Sequence, residues 1–342
     1  MTEDDGVPTP ALTRDNFHLS EPIHVNAEAA RGLNNTLMSV ASCSDPKILE
    51  FIEAATAENT RRAYHSDLRH FIATGGRIPA TSEQVARYLA DHAATLSMAT
   101  LARRLAGIRA AHVERGFPDP TKGELIRLTF RGIRRRHGKP QRRVAPLRIE
   151  HLAAIISALG TSTRDIRDRA LLLFGFAGAF RRSELTGIQC DWITRTEQGI
   201  SVALRRSKTD QESRGRRVVI PRVGGQICPM AALEAWLEAS KIKEGALFRQ
   251  ISKSGKFLAE GLSASAVATI VKQRAGQIGL DPTCFSGHSL RSGYATSAAV
   301  AGLPLWRIKR QTGHVSDAAL RAYIREISLF KDAAATWSPQ AR

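Results

Sequence analysis

The sequence predicts a mainly α-helical chain of two domains, the second interrupted by a small β-sheet. Three observations predict it. A chain of 342 residues with 43% hydrophobic content is long enough to bury two cores. From about residue 44 onward, apolar residues recur at three- and four-residue spacing, the period of helices with one buried face. Only between residues 199 and 221 do two short β-rich runs bracket a polar segment.

Residues 1–43 carry Pro8, Pro10 and Pro22 and no sustained period, so a flexible arm is expected. Ser44 or Asp45 can cap a first helix with apolar positions Ile48, Leu49 and Ile52. A second begins near Glu58 and puts Tyr64, Leu68 and Phe71 on one face. A third runs through Val85, Tyr88 and Leu89. A fourth runs through Leu101, Leu105, Ile108 and Ala111, and a fifth contains Leu125, Leu128 and Ile133. Five short amphipathic helices make a small all-α domain over 44–136. The stretch 131–143 is rich in arginine, contains Gly138 and Pro140 and has no acid, which places a basic linker at 137–147.

The second domain, 148–342, is expected to be helical at 148–159, 163–179, 183–188, 229–240, 264–278, 287–301, 304–312 and 316–325. Two strands, 199–204 and 217–221, flank the polar segment 205–216. The longest apolar run, 170–180, is too short to span a bilayer and reads as a buried helix.

Charge narrows the partners. Fifty Lys and Arg against 32 Asp and Glu give +18, which favours a polyanion, with nucleic acid ahead of a membrane surface. Arg61 and Arg62 on the second helix, Arg103 and Arg104 on the fourth, and Arg134, Arg135, Arg136, Arg142 and Arg143 around the linker are the expected contacts to a DNA backbone. Cys43, Cys190, Cys228 and Cys284 are scattered and form neither a disulfide framework nor a CxxC pattern, so a reduced, cytoplasmic compartment is expected. The acidic first residues lack the apolar stretch of a secretory signal.

The residues that carry chemistry lie in the second domain. His288 and Arg291 stand three apart, on one face of a helix. Gly313-His314 follows Arg291 at a helix end, and Tyr323 comes nine residues after His314. Upstream, Arg181 closes a buried helix with Glu184 three residues on, where a carboxylate could orient the guanidinium. Lys208 sits at or just beyond the end of the first strand. Each residue alone is more often a packing or surface group. Together they suit a phosphodiester, because cations hold a phosphate, imidazoles manage protons and a phenol can attack. No cofactor or metal ligand pattern accompanies them, so the expected charge stabilisation comes from side chains.

Arg181-x-Ser-Glu-Leu, a hairpin lysine, His-x-x-Arg, Gly-His and Tyr, in this order and spacing, resemble the tyrosine recombinases, the phage integrase family. The resemblance covers roughly 45–336. Asn59-Thr-Arg-Arg-Ala-Tyr resembles that family's core-binding (SAM-like) helical domain, and Ser286-Gly-His-Ser with Ala322-Tyr-Ile-Arg resembles its Cre-like branch. His314 departs from Cre, which has tryptophan there, and agrees with most other members. The resemblance implies a site-specific DNA recombinase in which Tyr323 attacks the scissile phosphate to form a 3′-phosphotyrosine. It implies His288 as proton acceptor, Lys208 as acid for the 5′-oxygen, and Arg181 and Arg291 on the non-bridging oxygens, with His314 adding a hydrogen bond.

The same resemblance implies double-stranded DNA with short inverted-repeat core sites, a homotetramer on two duplexes and, in some systems, accessory DNA-bending proteins. The tail 327–337 is then expected to dock into a neighbouring protomer. The adjacent arginines could exchange roles, although Ser-Glu-Leu at fixed distance favours Arg181 over Arg182. Two other readings use the same residues: a type IB topoisomerase, and a non-catalytic DNA-binding protein on an integrase scaffold.

Overall fold

The computed structural model describes residues 45–139, 144–204 and 215–314, with Ser316, Asp317 and Leu320 beyond them. Arg142, Arg143, Lys208, Tyr323 and the tail 327–337 lie outside the described residues, as does the arm 1–43. The chain divides into two compact units, Met1–Gln141 and Arg142–Arg342, with the boundary inside the basic stretch.

The first unit contains α1 (Pro46–Ala55), α2 (Glu58–Ala73), α3 (Ser82–Asp91), α4 (Met98–Glu114) and α5 (Glu124–His137). Thr81 and Gln84 form a reciprocal capping box at the start of α3, and the Ser97 hydroxyl accepts from the Thr100 N–H at the start of α4. α2 packs on α4 and α3 on α5, around Phe71, Val85, Leu89, Leu101, Ile108, Ile126 and Ile133. Two expectations shift. On α5 the inward face is Ile126, Phe130 and Ile133, while Leu125 and Leu128 are exposed. On α1, Ile48, Leu49 and Ile52 remain exposed along with Phe51.

The second unit is built on α7 (Thr163–Ala177), whose residues Ala170 to Phe174 are all buried. Around it lie α6 (Ile149–Ala158), α8 (Arg182–Gly187), α9 (Pro229–Ser240), α10 (Ala264–Gln277), α11 (Ser289–Val300) and α12 (Leu305–Thr312). The sheet has three antiparallel strands rather than the two expected, in the order β1 (Ile193–Thr196), β2 (Gly199–Leu204), β3 (Arg216–Pro221). Val202 and Leu204 on β2 and Val218 and Ile220 on β3 point inward, and Val219 points out. A further hairpin joins β4 (Arg249–Ile251) to β5 (Phe257–Gly261). These extra strands are three to five residues long and carry no fully buried side chain, so no alternation marks them in the sequence.

One close approach fixes α11, the helix that carries Arg291. The Leu147 N–H donates to the Ser289 carbonyl at 2.9 Å, and the Ile149 N–H donates to Ser297 Oγ at 3.1 Å. The chain entering α6 therefore lies flat against α11 at Gly293. A Cβ there would stand 1.9 Å from the Leu147 carbonyl oxygen, so only glycine fits.

Candidate active site

The site gathers at the end of α7, the start of α8, the end of α12 and the starts of β3 and α11. The turn from α7 to α8 passes through Ala179, whose φ of 47° is left-handed, a costly conformation for a residue with a Cβ. Its carbonyl accepts from Arg291 Nη1 at 2.9 Å. Arg291 is almost fully buried, so α11 delivers a cation into the interior rather than onto the surface.

Arg181 is the N-cap residue of α8. Its backbone N–H donates to Glu184 Oε2 at 2.8 Å, and its Nη1 donates to Glu184 Oε1 at 2.5 Å. Its Nη2 donates to the Gly313 carbonyl at 3.0 Å. Glu184 is buried and also accepts from Arg216 Nη2, at 3.2 Å on Oε2. One carboxylate thus orients two guanidiniums, the favourable arrangement for buried charge. The neighbouring Arg182 is exposed, and its aliphatic stem covers Gly287 beside His288.

His288 stands at the N-cap of α11 and is partly open to solvent. Protein packed around the ring, followed by the charges of Arg291, Arg181 and Arg182, holds its pKa below the ordinary histidine value. His314 follows Gly313, which caps α12 with a left-handed φ of 65°. Burial, then Arg291, Arg181, His288 and Arg216, push the His314 pKa down from 6.5 to about 4. Both imidazoles are therefore neutral at pH 7. His314 Nδ1 and Thr312 Oγ1 lie 2.7 Å apart, and the same hydroxyl lies 2.7 Å from the Ile308 carbonyl. A carbonyl only accepts, so the hydroxyl donates to Ile308 and in turn accepts from His314 Nδ1–H, which fixes the ring and turns Nε2 away from Thr312.

Arg181, Glu184, His288, Arg291 and His314 come together, drawn from segments more than 100 residues apart. Arg216 joins them without having been singled out from the sequence. It belongs to the polar run expected to be loop, but it is the first residue of β3, paired with Leu204 and largely buried. No local signal distinguishes it from its neighbours.

The arginines of the first unit divide. Arg134, Arg135 and Arg136 at the end of α5 are exposed, and Arg62 is exposed beside Glu58 and Asn59. Arg61 is partly buried. Arg103 is half-exposed but makes two 2.8 Å bonds to the buried carboxylate of Asp67. Arg104 is turned inward: its Nη1 donates to the Tyr88 hydroxyl at 2.6 Å and also meets His70. The structure thus makes Arg104 part of the interior of its unit, away from the solvent face on which the sequence placed it, because Asp67 and Tyr88 offer it partners there.

Comparison with known proteins bears directly on this site. Residues 146–328 match the phage integrase family. The integrase/recombinase XerD homolog of Selenomonas ruminantium is 36% identical over 329 residues, 93% of each chain. The chain belongs to the phage integrase family of tyrosine recombinases. The Cre recombinase of Escherichia phage P1 is 25% identical over 272 residues, 73% of this chain and 77% of Cre. The fold is shared with the XerH site-specific recombinase bound to a palindromic difH substrate, at a TM-score of 0.58 and 18% identity over 82% of this chain and 79% of XerH. It is shared equally with a lambda integrase dimer on a COC′ core site, at a TM-score of 0.57 and 17% identity over 81% of this chain and 93% of that one. This tyrosine recombinase is accordingly a DNA strand-exchange enzyme, with the helical fold and small antiparallel sheets expected of it. Among the described residues, no helix is long and apolar enough to cross a membrane.

Proposed function

We propose that this recombinase cleaves and rejoins DNA through a 3′-phosphotyrosine on Tyr323, using Arg181, Lys208, His288, Arg291 and His314 as its catalytic set. The observation that carries the reading is the convergence of Arg181, Arg291 and two neutral imidazoles in one site whose anion, Glu184, is already committed to two guanidiniums. A phosphate entering this site meets guanidiniums and imidazoles together.

A phenol has a pKa near 10 and attacks poorly unless its proton is taken. His288, held neutral by burial and by flanking guanidiniums, is suited to accept that proton. Arg181 and Arg291 hold the non-bridging oxygens as their charge grows in the pentavalent transition state. His314 adds a hydrogen bond to one of them, with Thr312 fixing the ring through Nδ1. Lys208 protonates the departing 5′-oxygen. The P–O bond to the 5′-oxygen breaks as the bond to the tyrosyl oxygen forms, so the phosphodiester energy is kept. A 5′-hydroxyl from a second strand then reverses the step without a nucleotide cofactor.

The finer assembly belongs to the same proposal: short inverted-repeat core sites, four protomers on two duplexes and action in the bacterial cytoplasm. In that assembly the 44–136 domain and the basic stretch 137–147 grip the backbone through Arg61, Arg62, Arg103, Arg134, Arg135, Arg136, Arg142 and Arg143, and the tail 327–337 docks in trans.

The test is covalent trapping. Purified protein is mixed with nicked duplexes tiled from the DNA around its own gene, beside a Tyr323→Phe control. SDS-resistant adducts on particular duplexes, absent in the control, are expected. Adducts that persist in Tyr323→Phe would overturn the assignment of the nucleophile, and adducts on every duplex alike would point to a topoisomerase.

A further inference from the structure

Arg216 has no task in the chemistry above, yet three parts of the site meet at its guanidinium. It opens β3 opposite Leu204, at the base of the hairpin whose connection contains Lys208. Its Nη2 donates to Glu184 Oε2 at 3.2 Å, and so shares the carboxylate that orients Arg181. Its Nη1 donates to the Gln311 carbonyl at 2.7 Å, in the last turn of α12, three residues before His314.

The surroundings are shaped for this contact. A Cβ on Gly313 would stand 2.7 Å from Arg216 Nη1, so a side chain there would push the guanidinium out of this position. The Gln311 side chain fastens the same helix end, donating to the Ala177 carbonyl at 2.8 Å and the Val219 carbonyl at 3.1 Å. Arg216 Nε is buried and finds no hydrogen-bond partner among the described residues. Burial, reinforced by Arg181 and opposed by Glu184, lowers the guanidinium's pKa. A third cation buried beside Arg181 and Arg291 is unfavourable for folding alone, and an apolar side chain would fill the space at lower cost. Its contacts run instead to the segments that hold the reacting groups.

We propose that Arg216 is a positioning residue for DNA cleavage. It holds the start of β3, the Glu184–Arg181 pair and the end of α12 in one arrangement, so that Arg181 and His314 reach the scissile phosphate together. This inference rests on the recombinase reading of the site.

The test uses the full chain and a nicked duplex that wild-type protein traps. Arg216→Met removes the cation and both bonds. Arg216→Lys keeps the charge but can serve only one of Glu184 and Gln311. For Arg216→Met, the single-turnover rate of adduct formation at saturating duplex is expected to fall by roughly 10²-fold, the scale of a misplaced catalytic group. Duplex affinity stays at the wild-type value, and Arg216→Lys falls between. In a double-mutant cycle, Arg181→Lys is expected to cost much less in the Arg216→Met background than in wild type, because both act through Glu184. Independent, multiplying losses would overturn the positioning role, as would Arg216→Met cleaving at the wild-type rate. If Arg216→Met does not fold, the Arg216→Lys cycle decides on the same criteria. Wild-type protein that forms no Tyr323 adduct on any duplex would instead remove the recombinase reading itself, and this inference with it.

Discussion

Replacing Glu184 with alanine should destabilise the second unit more than any single exposed substitution, and the structure sets the scale. The buried carboxylate accepts the Arg181 backbone N–H at 2.8 Å, Arg181 Nη1 at 2.5 Å and Arg216 Nη2 at 3.2 Å. Alanine removes all three and leaves two guanidiniums facing one another. Among the described residues, Arg181 then keeps only its bond to the Gly313 carbonyl, and Arg216 only its bond to the Gln311 carbonyl. Breaking a buried pair by removing one partner costs about 3–5 kcal/mol. The arginine side chains are 21% and 17% exposed, so water relieves part of the repulsion. The lower end, about 3 kcal/mol, is therefore expected. For a unit of some 200 residues, each kcal/mol moves the melting temperature by about 2–4 °C, which gives a fall of roughly 6–12 °C. Differential scanning calorimetry of the full chain reads it, with Glu184→Gln as the intermediate case that keeps an acceptor. A Glu184→Ala transition within about 2 °C of wild type would refute the idea that this carboxylate holds the site together.

Three further outcomes are expected. His314 titrates near 6.5 when unfolded and near 4 when folded, so it contributes stability above pH 6.5 that is lost as pH falls toward 4. Up to about 2 kcal/mol should disappear between roughly pH 7 and pH 5, with His288 acting in the same direction, and His314→Asn should flatten the acid side of the melting-temperature profile. Gly293→Ala pushes a Cβ to 1.9 Å from the Leu147 carbonyl oxygen, so α11 must shift. A loss of about 1–3 kcal/mol in calorimetry and slower trapping through displaced Arg291 should follow together. Arg134→Ala should reduce the salt dependence of duplex binding by about one counterion, whereas Arg104→Ala should leave that slope unchanged and lower the melting temperature of the first unit.

How much of this was legible in the sequence differs by element. Apart from α1, whose apolar residues stay exposed, and α5, which buries Ile126 in place of Leu125 and Leu128, the helices follow their apolar period, because a helix that buries one face must repeat that face every three to four residues. β2 and β3 were legible for the same reason at period two. β1, β4 and β5 were not, since they are held by pairing with a neighbour and not by burial of their own side chains. His288 and Arg291 could be placed on one helix face from spacing alone. That Arg291 is buried while Arg182 is exposed could not be, because burial depends on what packs from elsewhere.

The sequence by itself determined the sign of the charge, the two-unit helical organisation and the set of residue types competent for phosphoryl transfer. These are properties of composition and local period. Only the tertiary structure decided which cations serve the site. Arg104 and Arg134 look alike in sequence, yet one donates to Tyr88 inside its unit and the other stands in solvent. Arg216 reads as a loop residue, yet Glu184, 32 residues away, and Gln311, 95 residues away, meet at its guanidinium. A charge takes its role from the partners that folding brings within about 3 Å, and those partners lie too far along the chain for any local pattern to record them.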